Sequence, residues 1–303
     1  RVGGGGQGSG HGTNIKTADE ARGESSFIGV DINNYSNALD ATSTTGDYIQ
    51  AIGGGGGASI PESSDLSQHF VLPGLSGASS GGSLKFLARA GTRDASISSE
   101  QSVYADDSNS ETYGNEGGDA ISDTNDYDTR TGGGGGGAGG SGSTTGSGTG
   151  SYGGAGGAGK SSQVDGNTYA GGGGGGAYES NSNALVTDPG EGKDGGGNGA
   201  VYDNDGSTTK SSATAGQANT GGGGGGGAHK KEDGADGGSG IVVVRYTIPP
   251  TPVNIASDCT VSGSPSGVTT DDSSGNCIVE FKTPGIEYDV SLPAEVEFDY
   301  LLV

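Results

Sequence analysis

The sequence predicts an all-β protein built around a bundle of polyglycine-II or polyproline-II helices, with negligible α-helix and a small C-terminal β module. Three observations carry that expectation. Glycine supplies 70 of the 303 residues, much of it in unbroken runs, and only 28% of the residues are hydrophobic. No segment keeps a helical spacing of apolar residues over three turns. A globular domain has close to half its residues apolar, so side-chain burial cannot supply a core for a chain of this length. Backbone hydrogen bonding has to take its place.

The glycine runs start at Gly3, Gly53, Gly132, Gly171 and Gly221, and four of them end on an alanine: Ala58, Ala138, Ala177 and Ala228. Flexible linkers mix glycine with serine and have no reason to end on one fixed residue, so the runs read as ordered elements. In the polyproline-II conformation a six-glycine run is a rod of two turns, roughly 19 Å long, with no internal hydrogen bonds. Its N–H and C=O groups all point outward and need partners. Rods without side chains can approach until those groups bond one another, and such a bundle holds only if nearly every bond, worth about 1 kcal/mol net, is made.

Before the prolines at 249–252, strand character is confined to residues 25–32 (SSFIGVDI), 46–52 (GDYIQAI), 69–75 (HFVLPGL), 83–90 (SLKFLARA) and 240–248 (GIVVVRYTI). Pro249, Pro250 and Pro252 then enforce an extended linker. The expected organisation is therefore a glycine-rich domain over 1–247, a Pro-rich linker over 248–256 and a small Ig-like or half-sandwich β module over 257–303. About 47 residues make a small domain, for which a Cys259–Cys277 disulfide would compensate by about 3 kcal/mol and which would require an oxidising compartment. The closing stretch Glu295, Val296, Glu297, Phe298, Asp299, Tyr300, Leu301, Leu302 and Val303 is apolar and strand-like. Unpaired, it would invite aggregation; donated to a neighbouring copy, it would be an assembly strand.

Between the runs the chain is rich in Ser, Thr, Asn and Asp with isolated tyrosines. Tyr104, Tyr113, Tyr127, Tyr152, Tyr169, Tyr178 and Tyr202 are candidate contact residues for a receptor or glycan, or else they pack against the sides of the glycine body. Asp123, Asn125, Asp126, Asp203 and Asp205 place oxygen ligands at alternate positions and are candidate calcium ligands, calcium being the one cofactor the composition suggests; solvated acidic turns are the alternative.

Net charge is −23, from 37 acidic and 14 basic residues, which makes nucleic acid and anionic membranes poor partners. No stretch stays apolar for the roughly 18 residues a membrane span needs, so membrane insertion is not expected. The opening RVGGGG lacks a basic segment followed by an apolar one, and reads as a processed chain or a piece of a longer precursor. Residues 154–161 (GAGGAGKS) match a phosphate-binding loop, but neither a preceding strand nor a following helix is in prospect. Residues 77–81 (GASSG) fit a nucleophile elbow around Ser79 without a recognisable hydrolase frame. No enzymatic activity is expected.

Poly-glycine blocks alternating with Ser/Asn/Asp/Tyr loops resemble the polyglycine-sandwich adhesins at the tips of T-even-type phage tail fibres. Residues 237–246 (GGSGIVVVRY) and 297–303 (EFDYLLV) resemble more specifically the closing and opening strands of the glycine-rich domain of phage tail fibres and large bacterial surface proteins. In that domain the opening strand runs straight into the first glycine run; here it stands at the other end of the sequence, so the ends of successive copies fit one another. The resemblance implies a structural subunit or repeat unit of an extracellular fibre, polymerised head to tail with itself. Its alternative is a virion tail-fibre adhesin that displays loops to a host surface protein or glycan.

Overall fold

A computed structural model describes residues 2–8, 26–29, 48–51, 54, 55, 57, 71, 72, 81, 82, 84, 85, 113–120, 129–145, 152–179, 188–203, 208–228, 232–247, 268–271, 276–282 and 298–303. Among the described residues there is no helix, and the fold is all-β. The strands are β1 (Ser26–Gly29), β2 (Tyr48–Ala51), β3 (Val71–Leu72), β4 (Leu84–Lys85), β5 (Thr129–Thr131), β6 (Lys160–Ser161), β7 (Thr168–Tyr169), β8 (Ala177–Glu179), β9 (Val201–Asp203), β10 (Thr208–Ser211), β11 (Val242–Thr247), β12 (Val268–Asp271), β13 (Asn276–Phe281) and β14 (Phe298–Leu302). Each stretch read as strand from its β-branched and aromatic residues contains one, although several are only two residues long.

The segments that lie outside these strands hold the centre of the molecule. Residues 131–138, 171–178 and 221–228 are buried throughout, and most of them are glycine. Their amides and carbonyls bond between segments at intervals of three residues. Gly132, Gly135 and Ala138 donate to the carbonyls of Gly176, Gly173 and Ala170, an antiparallel pairing. Gly154 and Gly157 donate to Gly132 and Gly135, a parallel one, and Gly223 and Gly226 do the same to Gly171 and Gly174. A β-ladder instead returns to the same partner strand every second residue.

The run at 171–176 is enclosed by five such segments. Gly172 and Gly175 donate to Gly157 and Gly154 and accept from Lys193 and Gly190. Gly174 and Ala177 donate to Gly197 and Ala200, and the carbonyls of Gly171, Gly174, Gly173 and Gly176 take the amides of Gly223, Gly226, Gly135 and Gly132. Glycine is demanded here by proximity rather than by conformation. None of residues 171–176 has positive φ. A Cβ at Gly172, Gly174 or Gly175 would instead collide with the carbonyl of Gly135, Gly190 or Gly132. Only the absence of a side chain lets backbones pack this closely.

Strands begin where the segments reach alanine. Ala177 and Ala200 are fully buried; beyond them the parallel pairing of 174–177 with 197–200 continues as parallel β8 and β9. These two form the centre of a sheet ordered β10-β9-β8-β5, at what we call the distal end. At the proximal end β11 grows from residues 237–241 into a sheet ordered β12-β13-β11-β14, antiparallel throughout. The expected linker at 248–256 lies outside the described residues. On either side of it, β11 of the glycine-rich domain and β12, β13 and β14 of the C-terminal module share that one sheet. No helix among the described residues is long and apolar enough to cross a membrane.

Candidate functional site

The proximal end is where the candidate assembly strand lies. Within its own chain β14 pairs antiparallel with β11, from Tyr246 opposite Phe298 through Arg245 opposite Asp299 to Val242 opposite Leu302. Val303 and Ile241 extend the ladder with two bonds, Val303 N–H to Ile241 O at 2.8 Å and Ile241 N–H to Val303 O at 2.9 Å. The backbone groups of β14 that face β11 are thereby satisfied, while β14 itself forms the edge of the sheet. Immediately beyond, Gly240 donates to Gly3 and Gly237 to Gly6. Along residues 237–246 the partners are thus 6, 3, 303, 302 and on to 298: the closing strand and the opening glycine run lie end to end against one acceptor segment.

Side chains seal this seam. Val303, Ile241 and Val243 are buried together with Ala138, Val164, Tyr169 and Ala170, and Leu301, Ile278 and Tyr113 pack against them. Val303 fills the space over Gly221, whose φ of 65° suits glycine and where a Cβ would meet Val303 Cγ1 at 2.6 Å. Arg245 ties three elements together. Its Nη2 donates to Asp299 Oδ2 at 2.6 Å, and its Nη1 donates to the carbonyls of Gln163 at 3.0 Å and Val164 at 3.2 Å.

The turn that supplies those carbonyls is held by its own side chains. Tyr169 donates its hydroxyl to Asp165 Oδ2 at 2.6 Å, and Asn167 donates to both Asp165 oxygens. Partial burial pushes the Asp165 carboxyl up, but the hydrogen bonds from Tyr169, Asn167 and Ser162 outweigh it and hold the group below its ordinary value. Burial first, and the Asp165 carboxylate second, push the Tyr169 phenol well above its ordinary value, so it stays a donor.

The tyrosines divide between the two ends. Tyr178 and Tyr202 lie on β8 and β9 and are buried, stacked at 5.8 Å between centroids and 7° between planes, over Ala200 and Ala228. Tyr169 is buried in the proximal cluster, and the half-buried Tyr113 lies against it beneath Lys160 Nζ at 4.7 Å. These four occupy packing positions; Tyr152 is 48% exposed. Tyr104 and Tyr127 lie outside the described residues, as do Asp123, Asn125, Asp126 and Asp205 of the calcium candidates and Cys259 of the expected disulfide; Asp203 ends β9 and Cys277 stands in β13.

The phosphate-loop match at 154–161 is part of the glycine body. The amides of Gly154, Gly156 and Gly157 are taken by the carbonyls of Gly132, Glu191 and Gly135, and that of Gly159 by Asp194 Oδ2. Those amides are committed within the body, and the match ends in β6, followed by a turn and β7 in place of a helix. Sequence reasoning missed the Arg245–Asp299 pair and the Asp165–Tyr169 turn. Lone opposite charges in two otherwise apolar strands were the available signal for the first.

No protein-family model matches the chain, and neither a curated protein nor a solved structure matches it significantly.

Proposed function

We propose that the chain is a non-enzymatic structural subunit or repeat unit of an extracellular fibre, with its glycine runs folded as a polyglycine-II bundle and its copies joined head to tail through residues 295–303. The three-residue interval of the inter-segment hydrogen bonds is the observation that carries it, because polyglycine-II has three residues per turn and leaves every backbone group free for neighbours. A body cross-linked in this way is stiff without a large apolar core, which suits a load-bearing fibre. Electron microscopy of native material tests the fibre. Long filaments with one chain per axial repeat are the expected result, and isolated particles at high concentration would reject it.

One observation favours a second reading, an adhesin at a phage tail-fibre tip. Described segments end at Glu179 and Asp203 in the distal sheet and at Ala228 beside it, and another begins at Thr129 in the same sheet, so four segment ends lie together. Loops anchored on a rigid body are where recognition residues commonly sit. Single knobs at the tips of other fibres would favour this role over the first.

A further inference from the structure

We propose that the partner that accepts the closing strand is a second copy's own β14 position: copies join by strand exchange, residues 298–303 of one chain replacing the same residues of the next along β11. This presupposes the fibre proposed above and specifies the contact that would build it.

The position is defined on three sides. The edge of β11 from Val242 to Tyr246 supplies the ladder, Ile241 supplies the two terminal bonds, and the pocket over Gly221 receives Val303. Arg245 reads the incoming Asp299 while gripping the 162–166 turn, so one charged contact fixes the register. A one-residue slip would turn Val303 and Leu301 out of the seam and part Asp299 from Arg245.

Geometry makes the exchange continuous with the glycine body. In whichever copy the strand lands, it ends beside Gly240, where that copy's own residues 3–6 take over the pairing. The donated strand and the recipient's first glycine run then form one unbroken line, as the closing and opening stretches suggest when written one after the other. Where each copy gives its strand to one neighbour and receives from another, the contact is heterologous and repeats into an open chain, whereas a reciprocal exchange would close a dimer.

Identical bonds form within a chain and between chains, so concentration decides. Fifteen residues, 283–297, tether β14 to the preceding described segment, and extended they reach about 50 Å. Assembly therefore begins where copies are crowded, and the self-paired chain is its stored form.

The test adds one cysteine to the full chain, which already carries Cys259 and Cys277, in each of two versions, Arg245→Cys and Asp299→Cys, at positions that stand opposite one another and are solvent-accessible. They are mixed under mild oxidation at assembling concentration, and disulfide-linked peptides are identified by mass spectrometry. A link from residue 245 of one version to residue 299 of the other is the expected result, because neither chain can form it alone. Filaments that form without this link, while a chain bearing both cysteines closes it internally, would overturn the exchange and leave the fibre standing. A mixture that never assembles, matched by wild-type chain that never assembles, would overturn both. A charge swap gives a second measurement. Arg245→Asp and Asp299→Arg each weaken the self-paired and the exchanged contact alike, so neither alone should shift the assembled fraction; mixing them, where only exchange between the versions restores opposite charges, should raise it at least about threefold, and no rise, with each variant folded, would also overturn the exchange.

Discussion

The glycine body and the proximal sheet solve the same problem by opposite means. In the sheet, Ile241, Val243, Phe281 and Val303 bury side chains, and backbone bonds run along strands spaced in the ordinary way. In the body at 171–176 there are no side chains to bury, and each segment is enclosed by neighbours that bond it from several directions. Packing tolerance should therefore differ. A sheet position loses energy when a side chain shrinks, whereas a body position loses it when any side chain appears.

The sharpest break of that contrast is Gly174→Ala. The added methyl group would meet the Gly190 carbonyl, and both are backbone in enclosed segments. A loss of at least about 3 kcal/mol, read as a fall in the denaturation midpoint, is expected from overpacking that nothing flexible can absorb. Next comes Ile241→Ala in the seam, where Ile241 is 1% exposed; removal should cost about 2–5 kcal/mol, from the opposite cause, because it leaves a cavity instead of filling a space. Gly166→Ala separates conformation from crowding: its φ is 78° and nothing stands within 4 Å of an added Cβ, so the cost should be about 1–2 kcal/mol from backbone strain alone. Gly140→Ala is the control. Its nearest neighbour would be Ala158 N at 3.6 Å, and the change should stay within about 0.5 kcal/mol. Equal costs at Gly174 and Gly140 would erase the distinction between the two regions.

A smaller effect sharpens the comparison at their junction. The folded pKa of Asp165 is depressed, so the stability it contributes is present above the ordinary carboxylate range and is lost as pH falls through the depressed value. Asp165→Asn should lower stability at neutral pH and flatten the acid limb of the stability profile; an unchanged acid limb would mean the turn does not depend on that charge.

Much of the architecture is legible in the sequence. Unbroken runs such as 171–176 announce elements, the repeated alanine marks where they end, and β11 and β14 stand out as apolar alternating stretches. Pairing is not legible there. Glycine runs carry no side chains to distinguish one from another, so nothing in residues 132–137 says that they bond 173–176 antiparallel and 154–157 parallel. The same limit concealed the partner of β14, because the strand's own residues fit β11 equally well at home or in a neighbour. Tyrosine roles failed to show for a different reason. Tyr178 and Tyr202 sit in polar surroundings in sequence, yet both follow an alanine or valine at the end of a body segment, and that position puts their rings on the body's end.

Amide hydrogen exchange on the uniformly labelled chain tests most directly whether the glycine runs are the hydrogen-bonded core. The amides of Gly172, Gly174, Gly175, Gly223 and Gly226 should exchange at least about a thousandfold more slowly than in an unfolded peptide, alongside that of Val243 in β11. Glycine amides exchanging at unfolded rates while Val243 stays protected would show that the runs are slack, and would contradict the scaffold on which every other statement about this chain depends.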